Sequence, residues 1–149
     1  MFNEVVVSCN HQQASDFGSE TIIVDKYHEI GPIGGLVTGL EHFDGQGIFV
    51  LSVDAPSVRP ETMRVIVETE NSKSIASIAF DKTNQYVHPL IGRWNQSAYP
   101  VLKNAIDAGV YSPTRILHAN NFVKIEVDDG ELFNVNEPSD FERYIDLIT

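Results

Sequence analysis

The sequence predicts an α/β fold in a single domain over 1–149, with a mostly parallel sheet and an antiparallel hairpin excursion. Three observations predict it. Short β-branched runs alternate with segments of helical apolar spacing. The most apolar run, Ile48 to Val53, has strand length and is apolar on both faces, the pattern of a central parallel strand covered on both sides. The chain has 149 residues, one ordinary domain, without internal repeat, low-complexity segment or linker.

Val5 to Cys9 is β-branched and reads as a buried strand closed by Asn10. Thr21 to Val24 is a second strand, closed by Asp25. A loop from Lys26 to Gly35 contains Gly31-Pro32-Ile33-Gly34-Gly35, and Leu36, Leu40 and Phe43 then fall at helical spacing. After a turn at Asp44 to Gly47, the apolar strand leads into Asp54-Ala55-Pro56. Pro60 and Glu61 open a helix whose stripe is Met63, Ile66 and Val67. Ser74 to Phe80 and Tyr86 to Trp94 form the hairpin excursion. Pro89 inside its second strand cannot donate to a ladder and implies an edge or a bulge. Gln96 to Ala108 is an amphipathic helix stopped by Gly109, and Ser112-Pro113 starts a short helix through His118. Phe122 to Val127 alternates as a strand. Ser139 and Glu142 fit a capping box for a last helix with Phe141, Tyr144, Ile145 and Ile148 on one face.

Composition narrows the function. Apolar residues are 42% and charged residues 21%, so the chain is globular rather than disordered. The formal charge is −11, from 10 Lys plus Arg against 21 Asp plus Glu. That field repels a polyanion and excludes a non-specific nucleic-acid binder. It leaves room for a small phosphorylated ligand at a site carrying a cation. No apolar run approaches the roughly 20 residues of a membrane span, and residues 1–4 carry no basic start of a signal peptide. One cysteine, Cys9, rules out an internal disulfide or a multi-cysteine metal site; it fits a reducing cytoplasm and reads as a small buried hydrophobe.

The candidate residues lie where strands end, because ligands in open α/β sheets bind beyond the carboxyl ends of strands. Asp54 is either a hard oxygen ligand for Mg²⁺, which binds through one or two carboxylates plus substrate phosphates, or an acceptor of backbone N–H groups in a strand-end turn. The Gly31–Gly35 stretch either lets backbone approach a phosphorylated ligand or feeds a helix packed tightly on a strand. Its spacing is neither the P-loop nor the dinucleotide fingerprint. Asp25 either accepts from a base or ribose or forms an Asx turn. His88 has no second histidine at ligand spacing. Asn134-Val135-Asn136, ahead of Pro138, is either a polar turn or a pair of amides presented to a ligand.

Taken in order, Val5-Val6-Val7-Ser8-Cys9-Asn10, Asp25, Gly31 to Leu36, Ser52-Val53-Asp54-Ala55-Pro56, His88-Pro89-Leu90 and Asn134 to Asp140 resemble the molybdenum cofactor guanylyltransferase family. That family lies within the nucleotidyltransferase-like Rossmann group. The His-Pro and Asn-x-Asn-x-Pro-x-Asp elements favour the molybdopterin branch. The resemblance implies a Rossmann-like three-layer nucleotidyltransferase fold that moves GMP from GTP to molybdopterin and releases pyrophosphate. It implies Mg²⁺ on Asp54, nucleotide contacts from Asp25, and a base and ribose pocket lined by Ser8 to Asn10. It further implies close nucleotide approach at Gly34 and Gly35, and a pterin side formed by His88, Asn134 and Asn136. Partners would be GTP, molybdopterin, and molybdoenzymes or cofactor-biosynthesis proteins.

The chain departs from the family in two places. Where the family often carries Asn, this chain carries Ser8. The family's first strand and its Gly-rich loop, Leu-x-Gly-Gly-x-Ser-x-Arg-Met-Gly-x-x-Lys, are not in the sequence. The expectation is therefore an N-terminally truncated fold, with Met1 an internal methionine read as a start or the product of a shortened gene. The missing strand would lie between Val5–Cys9 and Ile48–Val53. Two other readings stand beside the guanylyltransferase. One is a related transferase using CTP on molybdopterin or on a sugar phosphate. The other is a non-catalytic molybdopterin-binding remnant.

Overall fold

The computed structural model describes residues 2–18, 21–69 and 71–148, with side chains through residue 146. In chain order the elements are β1 (Val7–Cys9), β2 (Ile22–Val24), α1 (Pro32–His42), β3 (Ile48–Leu51), α2 (Pro60–Glu68), β4 (Ala76–Asp81) and β5 (Tyr86–Trp94). There follow α3 (Ala98–Asp107), α4 (Pro113–His118), β6 (Val123–Glu126) and α5 (Pro138–Ile148). Single 3-10 turns stand at Ala14–Asp16 and Asp129–Leu132. The α1 helix starts at Pro32, four residues before the expected Leu36, because a first-turn proline is preorganised for the helix. Gly34 and Gly35 are therefore helical rather than part of a loop.

The strands form two sheets. β1 and β2 pair in parallel; the other sheet has the order β3-β5-β4-β6. Within it β5 runs antiparallel to both β3 and β4, and β4 runs parallel to β6. Two expectations need correction here. β3 is an edge strand pairing antiparallel with β5, not a central parallel strand. β5 is central to its sheet rather than an excursion. Pro89 is accommodated by a bulge: β4 jumps register between Ile78, opposite Gly92, and Ala79, opposite His88. Pro89 therefore faces no β4 partner that needs its missing N–H. Its carbonyl accepts the indole N–H of the fully buried Trp94 at 2.9 Å.

The pleat of β4 sorts the core into two faces. Ala76, Ile78 and Phe80 pack with Leu36 and Leu40 of α1, Leu102 of α3 and Leu117 of α4. Ala79 packs on the opposite side with Ile66 of α2, Ile91, Val58 and Leu132. Helices on one face, the sheet, and α2 with the 129–132 turn on the other give the three layers.

The segment leading into β1 and the edge strand β3 face each other across a cavity of about 780 Å³. Val5, Val6, Ile48, Phe49, Leu51 and Met63 are among its lining residues. Phe2 reaches over to Phe49, with ring centroids 5.2 Å apart. Among the described residues β1 pairs only with β2 and β3 only with β5.

The α5 helix forms as its pattern predicts but is anchored differently. The Asp140 carboxylate, not a Ser139–Glu142 box, accepts the Asn136 and Glu137 N–H groups, each at 3.1 Å. Phe141 and Ile145 stay exposed, while Tyr144 reaches the Pro56 carbonyl at 3.4 Å. Ile148, expected on the same face, lies outside the described side chains.

The hairpin turn between β4 and β5 is tied by buried Asp81, which accepts the Asn84 backbone N–H at 2.8 Å and its side-chain N–H at 2.7 Å. The Asn84 backbone bond, then its side-chain bond, hold the Asp81 carboxyl below its ordinary value. A carboxylate depressed in the folded state adds stability above its unfolded pKa and loses it as pH falls through its folded pKa. Urea midpoints are therefore expected to drop between about pH 5 and pH 3, and Asp81→Asn should flatten that drop. Equal acid sensitivity in the two proteins would show that this turn does not contribute.

Candidate active site

The residues at the strand ends gather in two groups. In the first, the Ser8 hydroxyl donates to Asp25 Oδ1 at 2.6 Å, joining the ends of β1 and β2. The helix α1 packs directly onto them. A Cβ at Gly35 would come within 2.9 Å of Ser8 Oγ and 3.5 Å of both Asp25 carboxylate oxygens. A Cβ at Gly34 would come within 2.9 Å of the Tyr27 carbonyl. The two glycines thus let the helix lie against the loop that carries Asp25, the second of the two readings their spacing left open. Asn10 is drawn into its own turn: its side chain accepts the Gln13 N–H at 2.9 Å, and its N–H donates to the Gln13 side chain at 3.1 Å. Cys9 is buried, as its composition context predicts.

The loop after Asp25 is clamped from outside. The Lys26 N–H donates to Thr38 Oγ1 at 3.1 Å. Glu41 on α1 accepts Lys26 Nζ at 2.7 Å and the hydroxyls of Tyr27 and Tyr99, each at 3.0 Å. Lys103 donates to the Tyr27 hydroxyl at 2.8 Å. Burial opposes Glu41 ionisation, but the Lys26, Tyr27 and Tyr99 hydrogen bonds outweigh it and lower its pKa. Sequence reasoning missed this network, since its members are far apart in the chain.

The second group lies beyond β3. Half-buried Asp54 accepts the Ser52 hydroxyl on Oδ1. The Asp54 backbone carbonyl accepts the Val135 N–H at 2.7 Å. This bond brings the exposed Asn134 and Asn136, 80 or so residues downstream, to the Asp54 turn. The Ser-x-Asp spacing was a signal for the Ser52 contact; nothing local signalled Val135. His88 stands on β5, half-buried, edge-on to Tyr86 with centroids 5.0 Å apart. Its Nε2 is buried without a partner. Burial lowers its pKa and Asp81 pulls it partly back, so the ring is neutral at neutral pH.

A metal at Asp54 fits this donor set. Oδ1 accepts the Ser52 hydroxyl, and the carboxylate is a hard oxygen donor of the class Mg²⁺ takes. Among the described residues no group of three or more His, Cys, Asp or Glu could hold a metal. Mg²⁺ needs no all-protein cage: it keeps waters and shares substrate phosphates.

Residues 1–122 match the model of the MobA-like NTP transferase domain. The chain belongs to that family. It is similar to a probable molybdenum cofactor guanylyltransferase of Thermococcus sibiricus, 29% identical over 148 residues, covering 94% of this chain and 74% of that protein. A protein of the same description from Aquifex aeolicus is 27% identical, covering 97% of this chain and 71% of the relative. Among solved structures, molybdopterin-guanine dinucleotide biosynthesis protein A from Archaeoglobus fulgidus superposes with a TM-score of 0.78 at 26% identity. That match covers 96% of this chain and 77% of the other. The MobA-like fold is thus an α/β nucleotidyltransferase fold, in agreement with the sequence-based expectation. No described helix is long and apolar enough to cross a membrane.

Proposed function

We propose that this MobA-like chain forms the body of a guanylyltransferase that joins GMP from GTP to molybdopterin and releases pyrophosphate. The observation that carries the reading is the Val135–Asp54 backbone hydrogen bond, which brings the stretch bearing two exposed amides to the turn that carries the Asp54 carboxylate. The names of the similar proteins support the choice of reaction. In the transfer, a phosphate oxygen of molybdopterin attacks the α-phosphorus of GTP and pyrophosphate leaves. Such a step depends on in-line positioning and charge neutralisation more than on covalent help from the protein. Asp54 would hold Mg²⁺, which supplies charge neutralisation on the triphosphate when bound. Asp25, its carboxylate fixed by Ser8, would accept from the ribose or base. Ser8 and Asn10 would border that pocket. Asn134, Asn136 and the neutral His88 would meet the pterin side, where uncharged donors and acceptors suit a heterocycle. Gly34 and Gly35 serve this site by bringing α1 against Asp25. A cytoplasmic setting belongs to the same proposal, supported by the lone free Cys9.

Calorimetric titration with GTP and with CTP, both with Mg²⁺, tests the reading in a protein carrying the family's Gly-rich segment ahead of residue 1. GTP is expected to bind at least about tenfold tighter, one step of roughly 1.4 kcal/mol. A CTP preference would overturn the guanine assignment. Failure to bind either would favour the non-catalytic reading.

A further inference from the structure

The stretch that carries Asn134 and Asn136 is exposed, yet it is pinned to the Asp54 turn from one side by a buried carboxylate. Glu131, in the 129–132 turn, is 5% exposed. Its Oε2 accepts the Arg59 backbone N–H at 2.9 Å and its Oε1 accepts Arg59 Nη2 at 2.6 Å. Arg59 is the N-cap of α2 and supplies no side-chain cap of its own. The N-cap N–H of α2 is thus served by a glutamate 72 residues away. Leu132, the next residue, packs with Ala55 and Val58 between Asp54 and Arg59. Three residues further on, Val135 bonds the Asp54 carbonyl. The Asp54–Arg59 turn and the 131–135 stretch are therefore latched at both ends, with apolar contacts between.

We propose that Glu131 is a positioning residue: through Arg59 and the start of α2 it sets the register of Asn134 and Asn136 against Asp54. Glu131 touches no ligand in this scheme. The identity of the ligand rests on the function proposed above; the latch itself does not. A buried carboxylate that takes two donors from Arg59, one on each oxygen, has one geometry, whereas a loop held by Val135 alone would open more readily.

The test uses Glu131→Gln and Arg59→Met, each followed by hydrogen exchange of single amides and by steady-state transfer kinetics with GTP and molybdopterin in the protein carrying the Gly-rich segment. Glu131→Gln keeps the shape but loses the charge-assisted bonds, so local opening at the Val135 amide is expected to rise about 10- to 100-fold. Exchange in β4 and β5 should stay unchanged. The KM for molybdopterin is expected to rise about tenfold while the KM for GTP stays within about twofold. Arg59→Met should reproduce the same pattern. If Val135 exchange is unchanged in both variants, or rises only together with β4 and β5, Glu131 is merely structural and the proposal falls. Absence of transfer activity in the unsubstituted protein carrying the Gly-rich segment would overturn the proposed reaction, while the exchange result would still decide the latch.

Discussion

Replacing Asp54 by Asn is expected to lower guanylyl transfer by roughly 10²–10³-fold, the usual cost of losing one charge-stabilising group at a phosphoryl-type transition state. Folding should be nearly unaffected, by less than about 1 kcal/mol, because the residue is half-buried at a strand end. An asparagine oxygen can still accept the Ser52 hydroxyl, and the Val135 bond goes to the backbone of residue 54 rather than to its carboxylate. Turnover and thermal midpoint measured on the same preparations separate the two effects. The measurement belongs in a protein with the Gly-rich segment joined ahead of residue 1. Unchanged turnover would remove Asp54 from the metal role. A parallel loss of turnover and stability would assign it to the turn instead.

A polypeptide made of these 149 residues alone is expected to lack transfer activity and to associate or unfold without cooperativity. The reason lies in the gap between the two sheets. β3 is an edge strand whose apolar side chains line a cavity of about 780 Å³ together with Val5 and Val6. Leu51 is 38% exposed and Val5 is 75% exposed, although the sequence writes both as core residues. Apolar side chains and unpaired edge groups left open to water weaken a domain that has only about 5–15 kcal/mol to spare. Unpaired edges then pair with another chain. Sedimentation, denaturant unfolding and an assay with GTP and Mg²⁺ on that polypeptide give the answer. A monomer that unfolds cooperatively and turns over normally would refute the expectation and show that the cavity is not a strand's place.

The sequence by itself determined the order of elements, because each carries its own local signal. Period-two and period-3.6 apolar spacing placed β5, α3 and α4 to within a few residues, and Gly109 at φ +71° ends α3 where the chain needs a left-handed residue. Motif order also singled out Asp25, Asp54 and the Asn134–Asn136 pair as candidates. What the sequence could not carry was partnership. The strand at Ile48–Leu51 reads as covered on both faces because its residues are apolar throughout, but only the pairing of the sheet decides whether a neighbour stands on each side. The α5 helix is amphipathic in sequence, yet Phe141 remains 54% exposed, because periodicity names a face and not what covers it.

The same limit governed the site. Gly34 and Gly35 read equally as a ligand cradle or as a packing surface until the tertiary structure set Ser8, Asp25 and Tyr27 against them. Glu131 and Arg59 are unremarkable in a chain with 21 acidic residues. They become a latch only when residues 72 apart meet beside Asp54. Local propensity acts over a few residues, whereas these contacts are decided by how the layers close, and that closure is a property of the whole chain.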